Sequence, residues 1–131
     1  MMADSIFTKI IKGEIPCHKI YEDDKTFAFL DIHPKQPGHV LVVPKQETDH
    51  IWDLPDEEYL AVMTTVKKVS LRIREVLKPS RVGVQIEGTG VSHAHVHVFP
   101  FETVEEFHVL RDQSAEPDNT ALAEMAKKLA F

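Results

Sequence analysis

His93, His95 and His97 alternate with apolar residues in the stretch His93-Ala94-His95-Val96-His97-Val98-Phe99-Pro100. On a β-strand successive side chains point to opposite faces, so this spacing predicts three imidazoles on one face. Neighbouring rings would start about 7 Å apart along the strand. Ala94, Val96 and Val98 then turn together toward a core. Pro100 marks the strand's end or an edge position. A strand face made of histidine is placed for chemistry rather than packing.

Three uses of that face compete. A merely solvated face fits poorly, because histidine is uncommon and three in phase are hard to obtain by chance. A metal site is the second use: His-x-His on a strand makes a good zinc pair, and a third ligand would complete a catalytic set. No Asp, Glu or Cys stands at ligand spacing within the strand. The third use is nucleophilic and acid–base work, since imidazole is partly uncharged near neutral pH and its bare nitrogen can attack. Elsewhere, His39 follows Pro37-Gly38 at a strand start and Asp31 closes another strand. On their own terms these are a partly buried histidine and a turn-forming aspartate.

The elements that must hold these residues are legible as patterns. Asp4 or Ser5 can cap a short helix that carries Ile6, Phe7, Ile10 and Ile11 on one side and ends at Gly13. Residues 18–22 and 26–30 read as a hairpin around Asp23-Asp24-Lys25. A loop with two prolines and a glycine leads to a strand from His39 to Val43, stopped by Pro44. Asp53, Leu54, Pro55 and Asp56 open a long helix whose apolar stripe runs from Tyr59 to Leu77, with Pro79 ending it. A fourth strand from Val82 to Glu87 and a tight Gly88-Thr89-Gly90 loop precede the histidine strand. After Glu102 the chain turns acidic and loopy, and Thr120 to Leu129 reads as a last helix. The expected fold is α+β: a five-stranded, mainly antiparallel sheet with a long helix and short N- and C-terminal helices.

The chain has 131 residues, is 43% apolar and carries a net charge of -6. The length fits one domain, 1–131, with a core of about 4–100 and a C-terminal extension, 101–131. The acidic balance argues against a nucleic-acid partner. It leaves room for a phosphorylated small molecule held by a local cluster of donors. One cysteine, Cys17, cannot form an internal disulfide, which points to a reducing, cytoplasmic setting. No apolar run reaches the ~20 residues of a membrane span, so no membrane partner is expected. The N-terminus has no signal-peptide pattern.

The stretch His93 to Phe99 resembles the signature of the histidine-triad family: His, apolar, His, apolar, His, two apolars. Residues 6–16, IFTKIIKGEIP, then Phe29-Leu30-Asp31-Ile32, then residues 37–45, PGHVLVVPK, stand in that family's order and spacing. The resemblance covers about residues 4–100. It implies a hydrolase or transferase acting on the α-phosphate of nucleoside monophosphate conjugates, such as phosphoramidates and acyl-adenylates. The nearest likeness is to the nucleoside phosphoramidase branch. It makes His95 the nucleophile, forming a covalent nucleotidyl-histidine. His97 would donate to phosphate oxygens, His93 would support the site, and His39 would join the nucleophile's hydrogen-bond network. Asp31 would accept from the ribose hydroxyls. Ile6, Phe7, Ile10, Ile15, Phe29, Leu30 and Ile32 would wall the base, a purine, and such apolar walls predict loose base selectivity.

Two departures from the family pattern matter. Many relatives build a structural zinc site with Cys-x-x-Cys near the N-terminus; Ser5 and Thr8 stand here, with Glu47 at the third ligand position. That set does not make the tetrahedron zinc prefers, so no metal and no cofactor are expected. Thr89 and Gly90 occupy the loop where relatives reach the leaving group, and Gln85 stands for a phosphate-contacting asparagine. His18, His33, His50 and His108 are expected on the surface without partners. A dinucleoside polyphosphate hydrolase is the rival enzyme, and a nucleotide-binding regulatory protein with little turnover is the rival outside enzymes. An open sheet edge and a long helical stripe, together with the resemblance, predict a homodimer.

Overall fold

The computed structural model describes residues 3–131. Its centre is a five-stranded antiparallel sheet in the order β1-β2-β3-β5-β4. The strands are β1 (Lys19–Glu22), β2 (Thr26–Leu30), β3 (Val40–Pro44), β4 (Arg81–Gln85) and β5 (Val96–Phe101). Four α-helices accompany it: α1 (Ile6–Ile11), α2 (Asp56–Leu77), α3 (Val104–His108) and α4 (Asn119–Leu129). The α+β class and the antiparallel sheet match the sequence expectation.

Local chemistry explains the first elements. The Ser5 hydroxyl accepts the Thr8 amide and caps α1, and Gly13 follows the helix at a φ of 81° that glycine tolerates best. In the β1–β2 turn, Asp23 Oδ1 accepts the amides of Lys25 and Thr26 and the Thr26 hydroxyl. A single 3₁₀ turn, Ile51–Asp53, precedes α2, whose first turn carries Asp56, Glu57 and Glu58 where the helix dipole favours acids. Lys78 ends α2 in the left-handed conformation, just before Pro79.

Strand alternation sorts the core into two layers. Ala28 and Leu30 of β2, Val40 and Val42 of β3, and Val96 and Val98 of β5 pack with Val62, Val66, Val69 and Ile73 of α2. Phe27, Phe29, Leu41 and Val43 point to the other face and meet Phe7 of α1. His97 lies opposite Leu41 in the ladder, so the histidine face is the α1 face. At the C-terminus, Arg72 donates to the carbonyls of Lys128, Leu129 and Ala130, and the Phe131 amide donates to Ile20. The outer edge of β1 is thereby partly covered, whereas β4 is the sheet's open edge.

Four expectations need correction or narrowing. The regular part of the histidine strand begins at Val96, so His93 and His95 precede the ladder; the Ala94 amide instead donates to Thr48. Pro100 does not end β5, which runs to Phe101, and so takes the other place expected for it, an edge position. Pairing with β3 stops at Val98, so a residue without an N–H is tolerated at Pro100. β4 ends at Gln85, two residues before the expected Glu87. Finally, α3 lies in the acidic stretch read as loop: Thr103 caps it by accepting the Glu106 amide, and Phe107 packs on Phe99 and Phe101. No helix among the described residues is long and apolar enough to cross a membrane.

Candidate active site

The three histidines are not on an open face. His93 is 0% exposed, His95 5% and His97 4%: α1 covers the first two, and His97 packs against His39 and His95. The Phe7 ring meets those of His93 and His95 edge-on, at centroid distances of 5.7 and 5.2 Å. His95 and His97 are themselves 5.2 Å apart by centroid. Burial makes every ring nitrogen answerable to a partner, and the partners assign the protons.

His95 Nδ1 lies 2.8 Å from the His93 carbonyl oxygen. A carbonyl only accepts, so the proton is on Nδ1 and Nε2 keeps its lone pair. The Lys35 amide donates to His39 Nδ1 at 3.0 Å, which puts the His39 proton on Nε2. His39 Nε2 then donates to His97 Nδ1, also at 3.0 Å. The His97 proton is left on Nε2, a buried atom with no partner among the described residues. One bare nitrogen and one unmet donor therefore sit side by side. Burial pushes His39 down to about 2 and His97 down to about 4, reinforced by neighbouring positive charge, so both are neutral at pH 7.

His93 stands behind this pair. Its Nε2–H donates to the Pro44 carbonyl at 2.8 Å, so its Nδ1 accepts the Ser5 hydroxyl at 2.7 Å. Glu47 Oε1 accepts both the Ser5 amide and the Thr8 hydroxyl, each at 2.7 Å. The three residues at the relatives' metal-ligand positions are thus tied to one another and to His93 by hydrogen bonds.

A cavity of about 330 Å³ opens onto His95 and His97. Ile6, Phe7, Ile10, Ile15, Phe29, Leu30, Ile32, Asp31, Thr89 and Gly90 all line it, so most residues chosen from sequence converge there. His93 and His39 do not line it; the His93 carbonyl and the His39 ring hydrogen-bond the two histidines that do. Gln85 does not line it either: its side-chain oxygen accepts from Lys35 Nζ at 2.8 Å. His33 and His18 are not partnerless: His33 donates to the Ala115 carbonyl and lines the cavity, and His18 meets Asn119. Glu87, Arg111 and Gln113 also line the cavity, and sequence reasoning does not single them out. Arg111 and Gln113 belong to the extension, where no periodicity or motif marks them.

Asp31 is buried at the cavity's inner end. Its Oδ1 accepts the His33 amide at 2.8 Å, and its Oδ2 accepts from Arg111 Nη1 at 2.5 Å. Burial raises its pKa, against the lowering effect of the His33 amide and Arg111. Asp31, His39 and His97 offer ligand atoms within 4.8 Å of one another, close enough to frame a cation. A metal there would break the His39–His97 hydrogen bond and compete with the Arg111 guanidinium. The donor set as arranged suits proton placement better than metal binding.

A bare imidazole nitrogen beside a buried imidazole N–H, in a cavity with apolar walls and a few charged groups, has the chemistry to attack an electrophilic centre and to donate to an anionic oxygen on it. Residues 12–104 match the HIT domain, and the chain belongs to the HIT family. It is 38% identical over 100 residues to the adenosine 5'-monophosphoramidase of Schizosaccharomyces pombe, covering 72% of each chain. It is 40% identical over 105 residues to an uncharacterized HIT-like protein of Methanocaldococcus jannaschii, covering 72% of this chain and 77% of the relative. In structure it is similar to a Hit-like protein from Bartonella henselae, solved with an unknown ligand. The TM-score is 0.84 at 30% identity, over 98% of this chain and 96% of that one.

Proposed function

We propose that the protein hydrolyses conjugates of nucleoside monophosphates, phosphoramidates first, through a nucleotidyl intermediate on His95. The observation that carries this reading is the pair of assigned protons: His95 Nε2 is bare while His97 Nε2–H lacks an acceptor. The base lies between α1 and β2, the ribose hydroxyls reach Asp31, and a phosphoryl oxygen accepts from His97. His95 Nε2 forms a bond to the α-phosphorus, and the phosphorus–nitrogen bond breaks. The amine leaves with that electron pair and a proton drawn from water, which becomes hydroxide. A second water then attacks phosphorus, gives its proton to that hydroxide, and releases the nucleoside monophosphate and His95 with Nε2 bare again. Splitting one displacement into two lowers each barrier. The named activity of the S. pombe relative supports the same substrate class.

The test is turnover of adenosine 5'-phosphoramidate and of an aminoacyl-adenylate beside a dinucleoside polyphosphate, with acid-quench trapping of nucleotide on the protein. Labelled nucleotide on His95, absent from His95→Asn, supports the reading. Preferred cleavage of the dinucleotide would favour the polyphosphate branch, and tight binding without turnover a regulatory role.

The same reading includes a homodimer formed through the β4 edge and α2. Val84 is an exposed apolar side chain on β4, an edge strand with unpaired backbone groups, and Leu60 and Leu71 are exposed apolar side chains on α2. Sedimentation at micromolar concentration should give twice the 14.9 kDa chain mass. A mass of one chain would refute the dimer.

A further inference from the structure

We propose that Arg111 is the phosphate-binding cation of this cavity, and that its pairing with Asp31 is a resting contact which a nucleotide exchanges for two better ones. The inference rests on the nucleotide reading above and adds the residue that selects a charged nucleotide over an uncharged nucleoside.

The charges within the cavity set the problem. Asp31 and Glu87 are its carboxylates, His95 donates its Nδ1–H to a carbonyl, and His97 is neutral at pH 7. Arg111 is the one lysine or arginine among the described lining residues. A phosphate arriving beside His95 would meet a hydrogen-bond donor in His97 but no charge, unless Arg111 supplies it. The guanidinium is close enough to do so. It is held at Asp31 Oδ2, and that oxygen lies 4.0 Å from His97 Nδ1 and 3.7 Å from His39 Nε2. It spends one donor on Asp31 and makes no other hydrogen bond among the described residues. Four of its five N–H groups are left for a ligand, in the fork geometry that suits phosphate.

Asp31 faces the complementary constraint. Its Oδ1 accepts the His33 amide and its Oδ2 is held by Arg111, so Oδ2 is the oxygen that a departing Arg111 opens to a ribose hydroxyl. Asp31 is buried and Arg111 partly so, and satisfying one partner of such a pair alone is costly, because the other charge is left unmet. A nucleoside brings hydroxyls for Asp31 and nothing for Arg111. A nucleotide brings hydroxyls for Asp31 and an anion for Arg111, so both charges stay paired. The exchange therefore discriminates by phosphate, and the discriminating residue comes from the segment between α3 and α4, outside the stretch matched to the HIT domain.

Calorimetric titration of wild type, Arg111→Ala and Arg111→Lys with adenosine and with AMP tests this. In wild type AMP binds more tightly than adenosine. Arg111→Ala weakens AMP by roughly ten- to a hundredfold, the range for a charged hydrogen bond, and leaves adenosine unchanged or tighter because Asp31 is freed. Arg111→Lys recovers part of the AMP affinity by restoring the charge without the fork. Equal weakening of both ligands would make Arg111 structural, and an unchanged AMP affinity would remove it from the phosphate; either overturns the inference and leaves the proposed function standing. Wild type that binds neither ligand would sink the nucleotide reading itself, and this inference with it.

Discussion

His39 Nε2 stands 3.0 Å from His97 Nδ1, with both rings buried. This contact, together with the Lys35 amide on His39, fixes which His97 nitrogen carries the proton. His39→Ala removes the constraint: His97 can place its proton on Nδ1, and water can enter behind it. Turnover should fall by about ten- to a hundredfold, as expected when a hydrogen bond to a developing charge is lost. The His97 pKa should climb from about 4 toward the ordinary histidine value as its burial is relieved. His39→Gln, which can still offer an N–H, should retain more activity than His39→Ala. NMR titration of the His97 ring and steady-state kinetics check the pair, and wild-type kcat in His39→Ala would end the positioning role.

The same burial predicts how stability depends on pH. His39 and His97 are held neutral in the folded chain, at about 2 and about 4, but titrate near 6.5 when unfolded. Above about pH 7 neither state binds these protons, so stability is level. As pH falls through 6.5 the unfolded chain takes up protons that the folded chain refuses, and stability drops. The slope is up to about 1.4 kcal/mol per pH unit for each imidazole. The histidines dominate the upper part of the window from pH 6.5 to 4.5, because carboxylates with lowered pKa values, such as Asp23 and Glu47, titrate below it, while Asp31, raised by burial, opposes the loss as the pH falls further. Urea unfolding across that window should lose most of its slope in a His39→Gln, His97→Gln double variant, the remainder belonging to His93, which burial also lowers.

Asp31 should govern sugar selection. Its Oδ2 is the acceptor available to a ribose hydroxyl once Arg111 moves away. Asp31→Asn keeps the size but removes the charge from that acceptor. The preference for ribo- over 2'-deoxyribonucleotides should shrink by roughly tenfold or more. Comparing kcat/KM for the two sugars in wild type and variant decides it. An unchanged ratio would make Asp31 only a turn residue that holds the His33 amide.

Much of this site is legible in the amino-acid sequence, and the reasons for the rest are physical. Alternation in β2, β3 and β5 carries direct information about faces, which is why Phe29, Leu30 and the histidines stand out. The ladder's starting point is not legible, because His93-Ala94-His95 alternates as a strand does while its amide pairing goes to Thr48 instead. Nor is the burial of the histidine face, which depends on α1 arriving from 80 or more residues away in sequence. Gln85 escapes correct placement because its partner, Lys35, lies in an irregular loop. Arg111 is hidden for a similar reason: an isolated arginine in an aperiodic segment has no pattern, and only the folded chain brings it to Asp31.

Ser5 offers the last test, since one hydroxyl there serves two ends. It accepts the Thr8 amide as the cap of α1 and donates to buried His93 Nδ1. Ser5→Ala removes the cap, worth about 1 kcal/mol, and leaves Nδ1 only the longer 3.4 Å contact with the Thr8 hydroxyl, a further loss of up to about 1–3 kcal/mol. Thermal unfolding should show that loss. Because α1 brings Ile6, Phe7 and Ile10 to the cavity wall, KM for a nucleotide conjugate should rise. The effect on kcat should be smaller, since His95 takes its tautomer from the His93 carbonyl and not from the His93 ring. Glu47→Gln should be milder, because an amide oxygen can still accept the Ser5 amide and the Thr8 hydroxyl. A chelator should leave wild-type melting unchanged if hydrogen bonds alone join α1 to His93. A melting temperature that falls with chelator and returns with zinc would show instead that a metal holds this corner together.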